Sequence, residues 1–277
     1  VMFDVKEAIV KLNGRIDIKN ISDDTAIAAY LVDPAKNEYT IEKLASEYFG
    51  TVIEKPEVKQ LSLLDDVETD RSEYLAKCAV ALGVLNERIG DKIKENGQEK
   101  LYHEVELPLV TVLAHLEING FLVDDNQLKE FADKLGEKID ALTNEIYMLA
   151  GEEFNINSPK QLGVILFEKL ELKPVKKTKT GYATNADVLE KLRDKHPIVN
   201  FIMEYRQLAK LKSTYCDGLR AVVNPNTHRI HSVFTQTVTV TGRLSSTEPN
   251  LQNIPTRTEL GREIRKMFVA KEGYVLV

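Results

Sequence analysis

The chain has 277 residues, 43% apolar and 29% charged, which is enough to bury a core over about two domains and excludes a disordered protein. Its 37 Lys and Arg against 43 Asp and Glu give a net charge of −6, which by itself argues against a nucleic-acid partner. The two cysteines lack metal-type spacing, and no apolar run reaches the roughly 20 residues of a membrane span, so we expect a cytoplasmic protein with reduced thiols.

The first 100 residues alternate short apolar segments with helical patterns, which predicts an α/β domain. Strands are expected at residues 1–3 and 16–18. The expected helix boundaries are an N-cap at Asp4 and an end at Gly14, an N-cap at Ser22 or Asp23, a start at Thr40 and an end at Gly50, and a helix over residues 71–95 that stops at Asn96-Gly97.

From residue 101 to residue 223 the pattern predicts long helices. One apolar stripe consists of Val105, Leu109, Val112, Leu113 and Leu116. After a short strand over residues 121–123, a helix over residues 127–150 carries Leu128, Phe131, Leu135, Ile139, Leu142, Ile146 and Leu149. We interpret both stripes as packing surfaces.

A basic segment follows these helices. Residues 155–215 contain twelve Lys or Arg against six Asp or Glu, although the chain as a whole is acidic. Ser158 with Pro159 and Gln161 predicts one helix start, and Thr184 with Asp187 predicts another. The lysine-rich residues 176–179 lie between these two starts. Such a group suits a clamp on a phosphate backbone, and the alternative is a solvated charge run.

A long helix is predicted over residues 198–223. Arg206 and Lys210 are four residues apart, so they project from one face about 6 Å apart, close to the spacing of successive phosphates along a strand. A surface salt bridge with Glu204 or Asp217 is the competing interpretation.

The most informative stretch lies near the C-terminal end. Residues 237–241 form a β-branched run typical of a strand, and Gly242 breaks it. Beyond it, two prolines exclude a continuous helix, so the polar side chains are held on an irregular backbone that can present donors: Arg243, Asn250, Gln252 and Arg257. By composition alone this is a polar surface loop. A turn at residues 224–227, a short helix over 258–266 and a hairpin of 267–270 with 274–277 complete the predictions.

The string itself resembles a known family. Family A DNA polymerases carry a similar segment where the thumb passes into the palm, and here it reads Thr241-Gly242-Arg243-Leu244-Ser245-Ser246 and then Pro249-Asn250-Leu251-Gln252-Asn253-Ile254-Pro255. The resemblance implies an α+β multidomain protein. Residues 1–100 would be a partial RNase H-like 3′–5′ exonuclease domain, residues 101–223 a mostly helical thumb, and residues 224–277 the start of an antiparallel palm sheet.

The resemblance also implies roles for these residues. Primer-template duplex would be contacted by Lys176, Lys177, Thr178 and Lys179 at the thumb tip and by Arg206 and Lys210 near the active site. Arg243 would reach the minor-groove acceptor of the primer-terminal nucleotide, with Asn250 and Gln252 just upstream, and Arg257 would face the incoming dNTP. The family uses Mg²⁺, and we expect a monomer without membrane contacts, associated with the bacterial nucleoid.

The exonuclease-like portion is expected to be inactive. Asp24 matches one metal-binding aspartate of that domain by resemblance, but Cys78 stands four residues after Tyr74, where the family has another aspartate. A thiol is a poor ligand for Mg²⁺, which prefers oxygen. Asp24 would then be a structural residue in the first turn of a helix.

Nucleotidyl transfer needs aspartates that hold two Mg²⁺, and no aspartate follows Asp217. We therefore expect a polymerase fragment that ends before the palm aspartates and that is inactive alone. A non-enzymatic duplex-binding module and a 3′–5′ exonuclease are the alternative functions.

Overall fold

A computed structural model describes residues 1–13, 15–16, 18–56, 67–178 and 181–276, with the backbone alone at residues 67–70 and 177–178. The α-helices are α1 (Val5–Leu12), α2 (Thr25–Val32), α3 (Ile41–Phe49), α4 (Val67–Glu95), α5 (Glu99–Leu101), α6 (Leu107–Asn119), α7 (Asp125–Ala150), α8 (Pro159–Val164), α9 (Ala186–Leu192), α10 (Pro197–Lys210), α11 (Gly218–Ala221) and α12 (Glu259–Lys266). Helical segments of the π type cover Tyr102–Glu106, Ile165–Lys169 and Leu211–Asp217. The strands are β1 (Phe121–Leu122), β2 (Lys177–Thr178), β3 (Gly181–Tyr182), β4 (Arg229–Ile230), β5 (Val233–Thr235) and β6 (Ser245–Thr247).

The chain divides into two compact units. Unit 1 consists of Val1–Gly120 and His231–Asn253, and unit 2 consists of Phe121–Ile230 and Ile254–Val277. These units differ from the three domains expected from the sequence, because residues 231–253 pack with the N-terminal helices. Of the predicted α+β fold, the coarse architecture is confirmed. The described protein is mostly helical, and its small sheets are antiparallel, since β1 pairs with β4, β2 with β3 and β5 with β6.

Side chains and glycine determine where α1 and α3 begin and end. Asp4 accepts the N–H of Glu7 at 3.0 Å at the start of α1, and Thr40 caps α3, as predicted. Helix α3 ends at Gly50, which has a φ of 68° that favours glycine. Gly14, the predicted end of α1, lies outside the described residues, and α1 ends before Asn13.

The second helix starts one residue later than predicted. Its N-cap is Asp24 rather than Ser22 or Asp23, because the Asp24 carboxylate accepts the first N–H groups of the helix. The strand predicted at residues 16–18 is also wrong: Ile16 and Ile18 lie outside any strand, and residue 17 is not described. Within the described part of residues 1–100, strand-like pairing is limited to one parallel bridge between Met2 and Asp24.

Helix α4 runs through Gly83 and Gly90 without a break, and its predicted stop is confirmed. Gly97 has a φ of 66°, and the N–H of Gln98 bonds back to the carbonyl of Ile93 at 2.9 Å. In unit 1, α4 packs against α2 and α3, and α1 packs against α6.

The stripe predicted on α6 is wrong in its orientation. Leu113 is buried as predicted, but Val105, Val112 and Leu116 are exposed. The buried face of α6 consists of Leu107, Val110, Leu113, Ala114 and Glu117. Because α6 carries apolar side chains on nearly all of its faces, the periodicity of its sequence does not indicate which face is buried. Tertiary contacts determine the buried face.

Unit 2 is built around the packing of α7 against α10. The predicted seam of α7 is confirmed: Leu128, Leu135 and Ile146 are fully buried, and its other apolar members are half-buried. The helix predicted over residues 198–223 forms as α10 and α11, which the π segment Leu211–Asp217 joins.

The small sheet of unit 2 includes the predicted strand at residues 121–123. Phe121 pairs with Ile230, and Val123 bridges Phe268 on its other side. The predicted turn at residues 224–227 and the short helix α12 are also present. After α12 a turn forms at Gly273, with a φ of 81°, but residues 274–276 lie in no strand, and residue 277 is not described. The second half of the predicted hairpin is therefore wrong for the described residues.

A buried ion pair joins three elements of unit 1. Lys6 of α1 donates to Glu117 Oε1 of α6 at 2.6 Å, and their side chains are 15% and 8% exposed. The same oxygen accepts the N–H of Phe234 in β5 at 2.7 Å. His231 Nδ1 lies 2.8 Å from the carbonyl oxygen of Glu117. One carboxylate thus links the first helix, α6 and the strand that leads into the segment after residue 235.

We predict that Glu117→Ala lowers the free energy of unfolding by about 3 kcal/mol, because it leaves the Lys6 ammonium buried without its partner. Urea denaturation of the purified chain measures this loss. The control is Glu7→Ala, which removes the exposed partner of Lys11 and should leave the free energy of unfolding close to that of the wild type. Equal effects of the two substitutions would contradict a special role for Glu117.

Candidate nucleic-acid interface

Residues 236–253, here called the signature loop, contain most of the predicted base-contacting residues. The loop starts after β5 and passes through β6, in which Ser246 pairs with Phe234. The strand predicted at residues 237–241 does not form, and Val238 and Val240 are 62% and 64% exposed. The predicted break at Gly242 is present, with a φ of 75°.

Two buried serines hold the base of the signature loop. The hydroxyl oxygens of Ser232 and Ser246 lie 2.8 Å apart. The two residues are 2% and 0% exposed, respectively. Ser232 Oγ also donates towards the carbonyl of Pro249 at 2.8 Å, and Ser246 Oγ accepts the N–H of Leu251 at 3.1 Å. This network fixes the position of the Pro249–Leu251 backbone relative to the two strands.

Side chains within the loop also hold the backbone on both sides of Arg243. Thr239 Oγ1 donates to the carbonyl of Arg243 at 2.6 Å, and Gln252 Nε2 donates to the carbonyl of Leu244 at 2.9 Å. Asn250 Oδ1 accepts the N–H of Gln252 at 3.0 Å and so makes a local turn. Arg243, Asn250 and Gln252 are all exposed, as their predicted roles require.

The side chains of Arg243, Asn250 and Gln252 differ in whether they hydrogen-bond within the protein. Asn250 and Gln252 use side-chain atoms to shape the loop. The guanidinium of Arg243 makes no hydrogen bond or ion pair with any residue that the structure describes. Its five donors are therefore available to an external acceptor.

Three contacts from the helices of unit 1 anchor the signature loop and the strand β5 that precedes it. Gln236 Nε2 donates to Glu106 Oε2 at 2.7 Å and to the Glu106 carbonyl at 3.1 Å. The Tyr30 hydroxyl donates to the carbonyl of Thr239 at 2.7 Å. Glu117, described above, holds the N–H of Phe234.

The sequence reasoning did not identify these anchors. The available signal was Glu117 itself, which is an acidic residue inside the apolar run of α6 and therefore a candidate for a buried ion pair.

In unit 2, the predicted lysine loop includes a short hairpin. Lys177 pairs with Tyr182 across β2 and β3, and Lys176 is exposed. Lys179 lies outside the described residues, as do the side chains of Lys177 and Thr178. The Tyr182 ring packs 4.9 Å from the ring of Phe167.

Tyr182 also explains why a glycine is present at position 163 in α8. A Cβ at Gly163 would lie 3.1 Å from the Tyr182 Cβ, tighter than ordinary van der Waals contact.

The predicted start of α8 is confirmed, since Ser158 Oγ accepts the N–H of Gln161 at 3.4 Å. Helix α8 thus provides the surface on which the hairpin is anchored.

Arg206 and Lys210 have different environments although both lie on α10. The half-buried Arg206 guanidinium donates to the carbonyls of Thr184 and Ile156, and burial lowers its pKa. Lys210 is exposed. The exposure of Lys210 is what its predicted phosphate contact would require, whereas Arg206 joins the segment before α8 to the segment before α9.

The cap pair predicted at Thr184 and Asp187 is wrong. Helix α9 has Asn185 at its N-cap position without a side-chain cap bond, and Thr184 is buried beside Arg206.

Arg257 is exposed just before α12. The preceding turn packs closely on that helix, because a Cβ at Gly261 would lie 2.4 Å from the carbonyl oxygen of Pro255. Only glycine fits this approach, which fixes the backbone near Arg257.

Asp24 is enclosed by the protein's own donors. Its carboxylate accepts N–H groups of Val5 at 2.8 Å, Asp4 at 3.2 Å, Ala26 at 3.0 Å and Ile27 at 3.3 Å, and the residue is 1% exposed. Burial raises its pKa, and the backbone donors oppose that shift. The geometry of Asp24 is that of a helix N-cap, which agrees with the structural role expected for it and places it just before the first turn rather than within it.

Cys78 is buried in a separate packing cluster with Ala45, Ile53 and Ala81. Burial raises the pKa of its thiol, so the neutral form, which is a poor metal ligand, is favoured. Tyr74 donates its hydroxyl to Glu42 at 2.6 Å. Among the residues that the structure describes, no group of three or more His, Cys, Asp or Glu could hold a metal ion.

Comparison with known proteins decides the family. The profile of DNA polymerase family A matches residues 125–277, more than half of the sequence. The chain belongs to this family. A second profile, that of the ribonuclease H-like domain of DNA polymerase I, matches residues 1–58 of this family A chain.

Individual relatives agree with the family. The chain is 46% identical over 278 residues to DNA polymerase I of Bacillus subtilis (strain 168), and 46% identical over 275 residues to DNA polymerase I of Geobacillus stearothermophilus. Each match covers 98% of this chain and 31% of the relative, so the chain spans about a third of the length of these curated relatives.

A solved structure of the polymerase domain of Pol1 from M. smegmatis, in complex with DNA primer-template and dNTP, aligns with a TM-score of 0.82 at 37% identity. The alignment covers 98% of this chain and 45% of that one. Within the described residues, no helix of this family A chain is long and apolar enough to cross a membrane.

We predict that Asp24→Ala lowers the free energy of unfolding by at least about 2 kcal/mol, because it leaves several buried N–H groups without an acceptor. The cap substitution Thr40→Ala in the same unit is the control and should cost about 1 kcal/mol. Both losses are measured by urea denaturation. Mg²⁺-dependent trimming of single-stranded DNA by the wild-type chain, abolished by Asp24→Ala, would instead restore the metal-binding interpretation.

Proposed function

We propose that the chain binds primer-template duplex DNA as part of a DNA-directed DNA polymerase. In this proposal residues 1–100 are a partial, inactive exonuclease-like domain of RNase H-like type, residues 101–223 are the thumb, and residues 224–277 begin the palm. The observation that supports it best is the exposed Arg243 guanidinium on a loop whose backbone is fixed by hydrogen bonds on both sides.

The chemistry of Arg243 fits a test of base-pair shape. Every Watson–Crick pair offers a purine N3 or a pyrimidine O2 at nearly the same place in the minor groove. A donor held at that place binds any correct pair at the primer terminus and loses its acceptor at a mispair. We assign this contact to Arg243, with Asn250 and Gln252 contacting the strand just upstream and Arg257 facing the dNTP.

Unit 2 would contribute contacts that do not depend on sequence. Lys176 and Lys210 are exposed, and the backbone of Lys177 belongs to β2. Lys179 is two residues further along the sequence. Ammonium groups on a mobile stem bind phosphate as point charges, which suits a backbone clamp. In this proposal Thr178 and Arg206 complete the set, Thr178 by contact and Arg206 by supporting the loops that flank the hairpin.

The residues present do not fit the metal centre that the polymerase reaction needs. Among the described residues there is no cluster of metal ligands, and the sequence has no aspartate after Asp217. We therefore assign DNA binding and positioning to this chain and derive no chemical step from it. Mg²⁺, dNTP as substrate, a monomeric state and a bacterial cytoplasmic, nucleoid-associated location belong to the proposal for the complete polymerase.

Two other functions make different predictions. A 3′–5′ exonuclease would need Asp24 as a ligand, but its carboxylate is already bound by four N–H groups. A non-enzymatic duplex-binding module would keep the lysines, but it would show no dependence of nucleotide addition on Arg243.

We predict that replacing Lys176, Lys177 and Lys179 together by Gln reduces the salt dependence of duplex binding by up to about three units of slope, one for each phosphate contact. Fluorescence anisotropy of a labelled duplex at several salt concentrations measures the slope. Gln at Lys129, Lys134 and Lys138, three exposed lysines of α7, makes the same change in net charge and is the control. If both triple variants lose the same slope, the hairpin is not the clamp.

We predict that Arg243→Ala slows single-nucleotide addition by a polymerase containing this chain by about tenfold, since a lost hydrogen bond of this kind is worth about 1–3 kcal/mol. The dissociation constant of the duplex should change less than the rate does, because other contacts hold the DNA. Arg15→Ala, at an exposed arginine of the same unit, is the control and should leave both values unchanged.

The atom that Arg243 contacts is tested by replacing N3 of a primer-terminal guanine with C–H. The wild type should then slow by about the same factor as Arg243→Ala, and the variant should be nearly indifferent to the base change. If the two losses multiply instead, Arg243 does not bind that atom.

A further inference from the structure

A two-step hydrogen-bond relay connects the N-terminal helices to Arg243. The hydroxyl of Tyr30, on α2, donates to the carbonyl of Thr239 at 2.7 Å. The side chain of the same Thr239 donates to the carbonyl of Arg243 at 2.6 Å. Tyr30 is 3% exposed and belongs to the main core of unit 1, so the first donor of the relay is fixed by packing.

The backbone between Thr239 and Arg243 has little else to hold it. Val238 and Val240 are 62% and 64% exposed, so this segment buries almost no apolar surface. Gly242 adds a flexible position with a φ of 75°. Apolar burial therefore does not determine where this turn lies, and its polar contacts must do so.

The remaining contacts hold the two ends of the turn rather than its centre. Gln236 is fixed to Glu106 on the entering side, and Gln252 holds the carbonyl of Leu244 on the leaving side. Between these points, the Tyr30 hydroxyl is the contact from the helical core that reaches the described backbone of residues 237–243.

We infer that Tyr30 is a positioning residue for Arg243 and that it acts through Thr239. The consequence for nucleotide addition rests on the function proposed above, whereas the consequence for loop order does not. The inactive exonuclease-like segment thereby acquires a role in the polymerase: it supplies the fixed donor that orders the backbone of a residue at the primer terminus.

The chain contains a closely matched control in Tyr39. Its ring makes an edge-to-face pair with the ring of Tyr30, with centroids 5.8 Å apart. Its hydroxyl also donates to a backbone carbonyl, that of Asp33, at 2.6 Å. Tyr39→Phe therefore removes the same group from the same core without touching the signature loop.

The first experiment measures loop order directly in the chain 1–277 by ¹⁵N relaxation. In Tyr30→Phe we expect the backbone order parameters of residues 240–243 to fall from about 0.85 towards the flexible range below about 0.6. Thr239→Val should give the same fall, because it removes the hydroxyl and keeps the β-branched shape. Thr239→Ser, which keeps the hydroxyl, and Tyr39→Phe should leave the order parameters as in the wild type.

Two results would overturn the inference. One is an unchanged order parameter at residues 240–243 in Tyr30→Phe. The other is an equal fall in Tyr39→Phe, which would mean that general loosening of the core moves the loop. Neither result depends on DNA or on the function proposed for Arg243.

The second experiment follows single-nucleotide addition by a polymerase containing this chain. Tyr30→Phe should lower the rate constant about three- to tenfold and change the duplex dissociation constant less than twofold. Added to Arg243→Ala, it should have no further effect, because both act on one contact. A full additional loss in the double variant would show that Tyr30 acts elsewhere.

The two experiments separate the two proposals. If Tyr30→Phe disorders the loop but Arg243→Ala leaves nucleotide addition unchanged, the relay stands and the proposed role of Arg243 fails. If Arg243→Ala slows addition and Tyr30→Phe changes neither rate nor order, the relay fails alone.

Discussion

The structure of unit 1 depends on one buried carboxylate, that of Glu117. It neutralises Lys6 of α1 and accepts the N–H of Phe234 in β5, so a single oxygen joins elements from the two ends of that unit. A charge with 8% exposure is stable only while both partners are present, since an unpaired buried charge costs several kcal/mol. The signature loop begins two residues after Phe234, so this interaction fixes the strand from which the loop starts.

From that starting point, the N-terminal helices act as a support for residues 231–253. The carboxylate of Asp24 is used by four backbone N–H groups, and the thiol of Cys78 is used for packing against Ala45 and Ala81. Both are structural uses of positions at which catalysis would need exposed, ionised ligands. The same helices direct Tyr30, Glu106 and Glu117 towards residues 231–253. Stability of the helical part and order of the loop are thus coupled through hydrogen bonds.

The sequence predicted well where local chemistry decides. Thr40 and Ser158 each cap a helix through the N–H three residues ahead, a contact for which spacing is a local signal. The same signal was wrong at Thr184 and one residue off at Asp23, where other contacts decide the helix start. The stripe on α6 could not be predicted, because nearly every side of that helix is apolar and the buried side packs against α1, whose Lys6 is 111 residues from its partner Glu117. The partner of Tyr30 is 209 residues distant, so no local pattern contains it. The signature loop was recognised from its residues, but the contacts that fix it are tertiary.

The two kinds of proposed DNA contact, lysine with phosphate and Arg243 with a base, require different degrees of backbone order. The segments that carry them differ in how many hydrogen bonds hold their backbone. A lysine that binds phosphate tolerates a change in its own position, because a point charge acts in all directions and its stem can adjust. An arginine that tests one acceptor atom does not tolerate such a change, since a hydrogen bond weakens steeply with angle and a misplacement of about 1 Å can cost a hundredfold in rate. Lys176 is exposed just before a two-residue strand pair that includes Tyr182, whereas Arg243 has its own carbonyl and the next one bound by side chains. The hydrogen bonds around residues 236–253 therefore give the order that the proposed shape-testing contact requires, whereas a loop that only attracts phosphate does not need such order.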